Sequence, residues 1–178
     1  MDFYAQIVLL CLLAAHLAVA VYWDVKERRI PNKAVLSGLL AALLFHAVTS
    51  GANGLGASLI GALTGLLVLL PIHLLRLMGA GDVKLMAMAG AFGAGFQTSL
   101  WMVLYTLVAG GLLVVVYAAR GKVRARLFSN LFIMSRLGMA ELDGRGSGDP
   151  NKLQPAARLP YAAAIACGSL GYLLFGLF

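Results

Sequence analysis

The stretch "RLMGAGDVKLMAMAG", residues 76–90, sets a carboxylate, Asp82, inside the most apolar half of the chain. The sequence holds seven acidic residues. Asp2 is terminal, Glu27 belongs to a charged cluster, and Glu141, Asp143 and Asp149 fall in the polar, Gly-rich "ELDGRGSGDPNKLQP" at 141–155. Asp24 and Asp82 remain, each at the edge of an apolar run. Ionisable groups at membrane depth are costly and point to function. Two carboxylates in one wet cavity can do the work of an aspartic protease. One, ionised, takes a proton from water; the other, protonated, polarises the scissile carbonyl. Two such groups cannot easily both ionise, so their titrations split.

The neighbours of Asp82 suit this chemistry. Gly79 and Gly81 permit backbone angles closed to other residues and leave space for an extended substrate strand. The same glycines also fit a plain interhelical turn with an Asp cap. Asp82 is placed to N-cap the helix that follows, where the positive end of the dipole favours an anion. Asp24 sits near the C-terminal end of its own helix, so the helix ends predict that Asp24 carries the shared proton more often.

These residues need elements to position them. Of 178 residues, 61% are hydrophobic and 12% charged, against about 25% charged in an ordinary soluble domain. Apolar runs at about 3–23, 34–49, 55–77, 83–96, 98–118 and 159–177 read as membrane spans. The Gly-rich "GAFGAGFQTS" (90–99) divides the run from 83 to 119 into two spans, with Gln97, Thr98 and Ser99 able to satisfy backbone groups and cap the second. Lys26, Arg28, Arg29 and Lys33 follow the first span; Arg76 and Lys84 flank the turn between the third and fourth. The other eight of the fourteen Lys and Arg residues lie between Arg120 and Arg158. With six spans, all fourteen fall on one side, which the positive-inside rule makes cytoplasmic. The expectation is an all-α polytopic membrane protein with six transmembrane helices and both termini outside the cytoplasm. It forms a single membrane-embedded domain over 1–178, with a cytoplasmic loop at about 119–158.

Both acids then lie on the cytoplasmic side. Span four has 14 residues, about 21 Å of helix, short of a roughly 30 Å hydrocarbon core. Either the bilayer thins there or the GAGD turn dips into the inner leaflet, where non-helical backbone must be covered by protein or a wet cavity. Small residues recur at Ala57, Gly61 and Gly65 and at Ala87, Ala91 and Gly95, a pattern of close helix packing. The stretch 121–138 is amphipathic and basic, as in a surface-lying helix. Cys11 and Cys167 read as packing residues, and His16, His46 and His73 share no ligand spacing, so no metal or cofactor is expected. The formal charge of +7 suits anionic lipid rather than nucleic acid.

"DVKERRIPN" (24–32) after a first span and "GAGDVKL" (79–85) between two later spans together resemble the type IV prepilin leader peptidases, bacterial membrane aspartic proteases of the GxGD class. The closing "LPYAAAIACG" (159–168) is similar to that family's last span. The resemblance implies removal of short basic leaders from prepilins and pseudopilins at the cytoplasmic face of the inner membrane. Asp24 and Asp82 match the catalytic aspartates, Gly79 and Gly81 the motif glycines, and Lys84 the lysine that follows. Arg29, Pro31 and Asn32 match the RIPN element, although Pro31 and Asn32 also suit the start and cap of span two. Lys84 could steady an Asp, meet an acidic substrate residue, or reach lipid headgroups. The chain lacks the extra cytoplasmic segment with paired CxxC motifs found in members that also N-methylate pilins. It thus looks like the short, peptidase-only form similar to those of tight-adherence pili. Two alternatives stay open: a GxGD protease cutting within transmembrane helices, and a non-enzymatic membrane subunit or proton-coupled transporter.

Overall fold

A computed structural model describes residues 3–75, 78–119 and 161–175, with side chains up to residue 116 in the second stretch. The stretches at 121–138 and 141–155, and Arg76 with the basic residues from 120 to 158, lie outside the described residues. All described elements are helices: α1 (Phe3–Glu27), α2 (Asn32–Leu74), α3 (Ala80–Gly93), α4 (Phe96–Ala119) and α5 (Tyr161–Phe175). The chain divides into two compact units, Met1–Gly110 with Pro160–Phe178, and Gly111–Leu159. The described part of the second is the continuation of α4.

α2 is two helices joined by one residue. Gly51 has φ 62° and ψ −146°, a conformation open to glycine alone. Packing shows that the chain reverses there. Along the first arm, Gly38 meets Met88 and His46 meets Phe92, so this arm runs parallel to α3. Along the second, Ser58 meets Ala91, Gly61 meets Gly90 and Gly65 meets Met86, so this arm runs antiparallel. The gap expected between the apolar runs that end at 49 and begin at 55 thus shrinks to a single glycine break. α1 also opposes α3, with His16 beside Phe92. α5 opposes α4, with Tyr161 against Gly110 and Gly168 against Thr106.

α3 is the enclosed element. Val83 and every residue from Leu85 to Phe92 are buried, while Lys84 is exposed. A helix apolar all round belongs inside a bundle, and here glycines let it in. A Cβ on Gly61 would collide with the Gly90 carbonyl, a Cβ on Gly90 with the Gly61 carbonyl, and one on Gly65 with the Met86 carbonyl. The small-residue row of the second arm is therefore a contact surface, with Gly61 against Gly90 and Gly65 against Met86 and Ala87. Gly95 lies outside the helix with φ 117°.

The last carbonyls of a helix lack partners within it, and those of α3 are buried. Ser99 Oγ donates to the Gly90 carbonyl at 3.0 Å, Ser58 Oγ to Ala91 at 2.8 Å, and the His46 Nε2–H to Phe92 at 3.2 Å. Ser99 thus closes the end of α3 rather than capping α4.

The outer surface is apolar in four-residue rows, such as Leu36, Leu40 and Leu44, Leu63 and Leu67, and Val108 and Leu112. Three described helices, α1, α2 and α4, are long and apolar enough to cross a membrane. Together these features define a membrane protein.

Replacing Gly61 or Gly90 by Ala forces backbone apart at this crossing, a strain of about 1–3 kcal/mol. Each variant is expected to unfold at a lower temperature in detergent. Gly56→Ala, with open space around its Cβ position, is expected to match or exceed the parent.

Candidate active site

Asp24 lies near the C-terminal end of α1 and is 9% exposed. α1 stops there through Arg28, whose N–H bonds to the Asp24 carbonyl at 3.0 Å and whose φ of 55° turns the chain out of the helix. Pro31 then starts α2 from the N-cap position, its carbonyl accepting the N–H groups of Ala34 and Val35. Because the arms of α2 are antiparallel, the chain returns to the same end of the bundle at Leu74, and α3 departs from it at Ala80. Asp82, in the first turn of α3, comes to the Asp24 side, near enough that the charge of one acts on the other.

The helix start differs from expectation. Gly79 occupies the N-cap position, and Asp82 lies three residues on. The Gly79 backbone N–H lies close enough to the Asp82 carboxylate to favour the charged form. A Cβ on Gly79 would sit 3.1 Å from Asp82 Oδ2, so this glycine leaves room for the carboxylate. Its φ of −69° is open to any residue. Gly81 faces Ile30, whose side chain stands 3.4 Å from the Cβ position. Space, rather than unusual backbone angles, is what both glycines contribute.

The RIPN element packs onto the GAGD element. Beside the Ile30–Gly81 contact, Lys84 Nζ donates to Asn32 Oδ1 at 3.2 Å. Asn32 therefore holds α3 instead of capping α2, and Lys84 takes a partner that none of the three sequence expectations named. Arg29 is exposed beside this joint. The histidines bond to backbone: His16 Nδ1 to the Leu12 carbonyl, His46 to Phe92 and His73 Nδ1 to Met78.

The start of α5 was not read as part of the site. The Ala162 N–H donates to Asp24 Oδ2 at 3.3 Å, and the Tyr161 phenol lies close enough to feel the charge of Asp82. The stretch 159–168 carried the signal only as a resemblance, because the donor at 162 is backbone and Ala has no side chain to flag it. Gly79 rather than Asp82 is the N-cap of α3, although Asp82 stays in its first turn, and Asp24 at the end of α1 also receives the first turn of α5. Burial first, then the Asp24 charge, push the Asp82 carboxyl from 3.8 up to about 6, and the Gly79 N–H offsets part of this. Asp82 precedes the apolar run of α3.

A cavity of about 550 Å³, lined by Gln6, His46, Asn53, Phe92 and Tyr172 among others, opens at the opposite end of the bundle and holds neither acid.

An all-helical membrane bundle carrying two facing carboxylates at one end is the class that this fold and site define. The sequence profile of the type IV leader peptidase family matches residues 11–115. The chain belongs to that family, and is a peptidase by that membership. No curated protein and no solved structure matches it.

The raised Asp82 carboxyl has a stability signature. The fold favours its neutral form, so stability is full below the unfolded value of 3.8 and is lost as pH rises through about 6. Relative to Asp82→Asn, the parent is expected to lose roughly 1–3 kcal/mol between about pH 4 and 7, read as a falling melting temperature in detergent. Parallel melting curves for the two proteins across this range would contradict the burial of Asp82.

Proposed function

We propose that this chain is an aspartic endopeptidase that removes the short basic leader from type IV prepilins or pseudopilins at the cytoplasmic face of the inner membrane. The observation that carries the reading is that Asp24 and Asp82, far apart in sequence, come to one end of the bundle, near enough for the charge of one to act on the other. Family membership supports a leader peptide as substrate.

Hydrolysis by such a pair needs no covalent intermediate. The ionised carboxylate takes a proton from water as the water oxygen attacks the scissile carbonyl. The protonated partner gives its proton to the carbonyl oxygen, and a gem-diol results. The C–N bond then breaks as the first carboxyl returns a proton to the departing amine, and the second recovers one from the diol. Gly79, Gly81 and Arg29 border this end, where a substrate backbone and its basic leader would pass. Lys84, Pro31 and Asn32 hold the two motif segments against each other.

Six spans, both termini outside the cytoplasm, suit the alternating directions of the helical segments and the charge count. Lys26 lies 5.5 Å from the Tyr22 ring and 5.6 Å from the Trp23 ring, an aromatic and cationic cluster expected where a span meets the interface. The whole chain, 1–178, then works as one membrane-embedded peptidase domain whose 119–158 loop faces the cytoplasm. The short first loop supports a peptidase-only form.

Co-expression with a prepilin tests the reading. The parent is expected to shorten it. Asp24→Asn and Asp82→Asn are each expected to reduce cleavage by roughly 10²–10⁴-fold, the contribution of a positioned acid or base, with the membrane protein still present. Full cleavage by either variant would sink the two-aspartate mechanism. A lost proton-coupled flux with cleavage intact would favour a transporter.

A further inference from the structure

The two carboxylates stand in different surroundings, and the difference is built by backbone. Asp24 is 9% exposed and lies at the end of α1 where unpaired carbonyls gather, a poor place for an anion. α5 corrects this. Running opposite to α1, it brings its first turn to the same spot, and its second residue, Ala162, gives an N–H to Asp24 Oδ2 at 3.3 Å. That N–H has no partner within its own helix. Tyr161, the residue before it, fixes the height of the helix head. Its hydroxyl and ring lie 2.5–2.8 Å from where a Cβ on Gly110 would sit, so only a glycine on α4 lets α5 seat this deeply.

Among the described residues, the other charged or titratable groups at this end do not answer Asp24. Asp82 faces it from α3, Tyr161 faces Asp82 from α5, Lys84 turns to Asn32, His73 to the Met78 carbonyl, and Lys26 to Tyr22 and Trp23. Arg28 and Arg29 point out as exposed residues.

We propose that the head of α5 sets the polarity of the pair: the Ala162 N–H holds Asp24 as the carboxylate that takes the proton from water, leaving Asp82 to protonate the scissile carbonyl. Ala162 is a positioning residue acting through its backbone, and the assignment rests on the peptidase reading above. The side chain at 162 is immaterial to it.

The test removes one N–H and nothing else. Exchange of the Ala162 amide for an ester, by incorporating lactic acid at that position, keeps every side chain. The acid limb of kcat/KM against pH is expected to move up by about one pH unit. That is the roughly tenfold change in ionisation that a hydrogen bond to a charged group is worth. The alkaline limb should stay. Ala162→Gly, which keeps the N–H, should leave both limbs in place. Carboxyl ¹³C NMR of Asp24 in the purified protein reads the same shift without turnover, so an ester protein too slow to assay still decides the matter. An unmoved acid limb, or an unmoved Asp24 titration, overturns the assignment. Cleavage by Asp24→Asn would instead remove the peptidase reading beneath it. If both Asn variants are dead and the titration stays put, the polarity alone is wrong.

Discussion

The enclosure of α3 is the constraint on which the rest depends. Fourteen residues make about 21 Å of helix, too little to cross a bilayer unaided. Such a helix survives only if other helices cover its ends, because lipid offers nothing to unpaired backbone groups. Its far end is closed by Ser58, Ser99 and His46, each bonded to a different terminal carbonyl. Its near end carries Asp82. Gly61, Gly65 and Gly90 bring the neighbouring arm close enough to do the covering. A longer α3 would have no need of this shell, and would carry its first turn out to the headgroups, where an acid is merely solvated.

Burial of the first turn of α3 makes an acid there expensive and therefore useful. Two carboxylates that share a poorly hydrated site cannot both be ionised at low cost. Among the described residues, one geometric hydrogen bond from backbone reaches the pair, the Ala162 N–H to Asp24. Neither Asp is paired with a lysine or arginine among the described residues. A cation beside either acid would keep it ionised throughout and end its use in proton transfer. Backbone dipoles bias the pair while leaving one proton free to move.

Much of the frame was legible in the sequence. Apolar runs marked where the helices lie, and the two acids stood out because so few others occur. What stayed hidden has a common cause. The Ala162 N–H, the Gly79 N–H and the α3 carbonyls are backbone groups, and side-chain identities do not advertise their positions. Gly51 was read as part of a loop because hydropathy dips there, whereas one glycine torsion suffices for the reversal. Asp82 was placed at the N-cap by residue preference, whereas Gly79 takes that position and Asp82 lies in the first turn. Lys84 had several possible partners in sequence. Only the folding together of 32 and 84 chooses Asn32.

That last joint gives the RIPN element its physical meaning. Pro31 fixes the entry into α2, which aims Ile30 at Gly81 and Asn32 at Lys84. Arg28, in a left-handed conformation that costs a non-glycine residue about 1–2 kcal/mol, ends α1 four residues past Asp24. The segment from Asp24 to Asn32 is thus held at both ends: to α5 through the acid itself and to α3 through the two contacts that flank Asp82. A displacement of α3 would carry Ile30 and Asn32 with it, and through the short linker would pull on Asp24. Asp82 is therefore tied to Asp24 through the Lys84–Asn32 bond and the short linker that runs from Asn32 back to the end of α1.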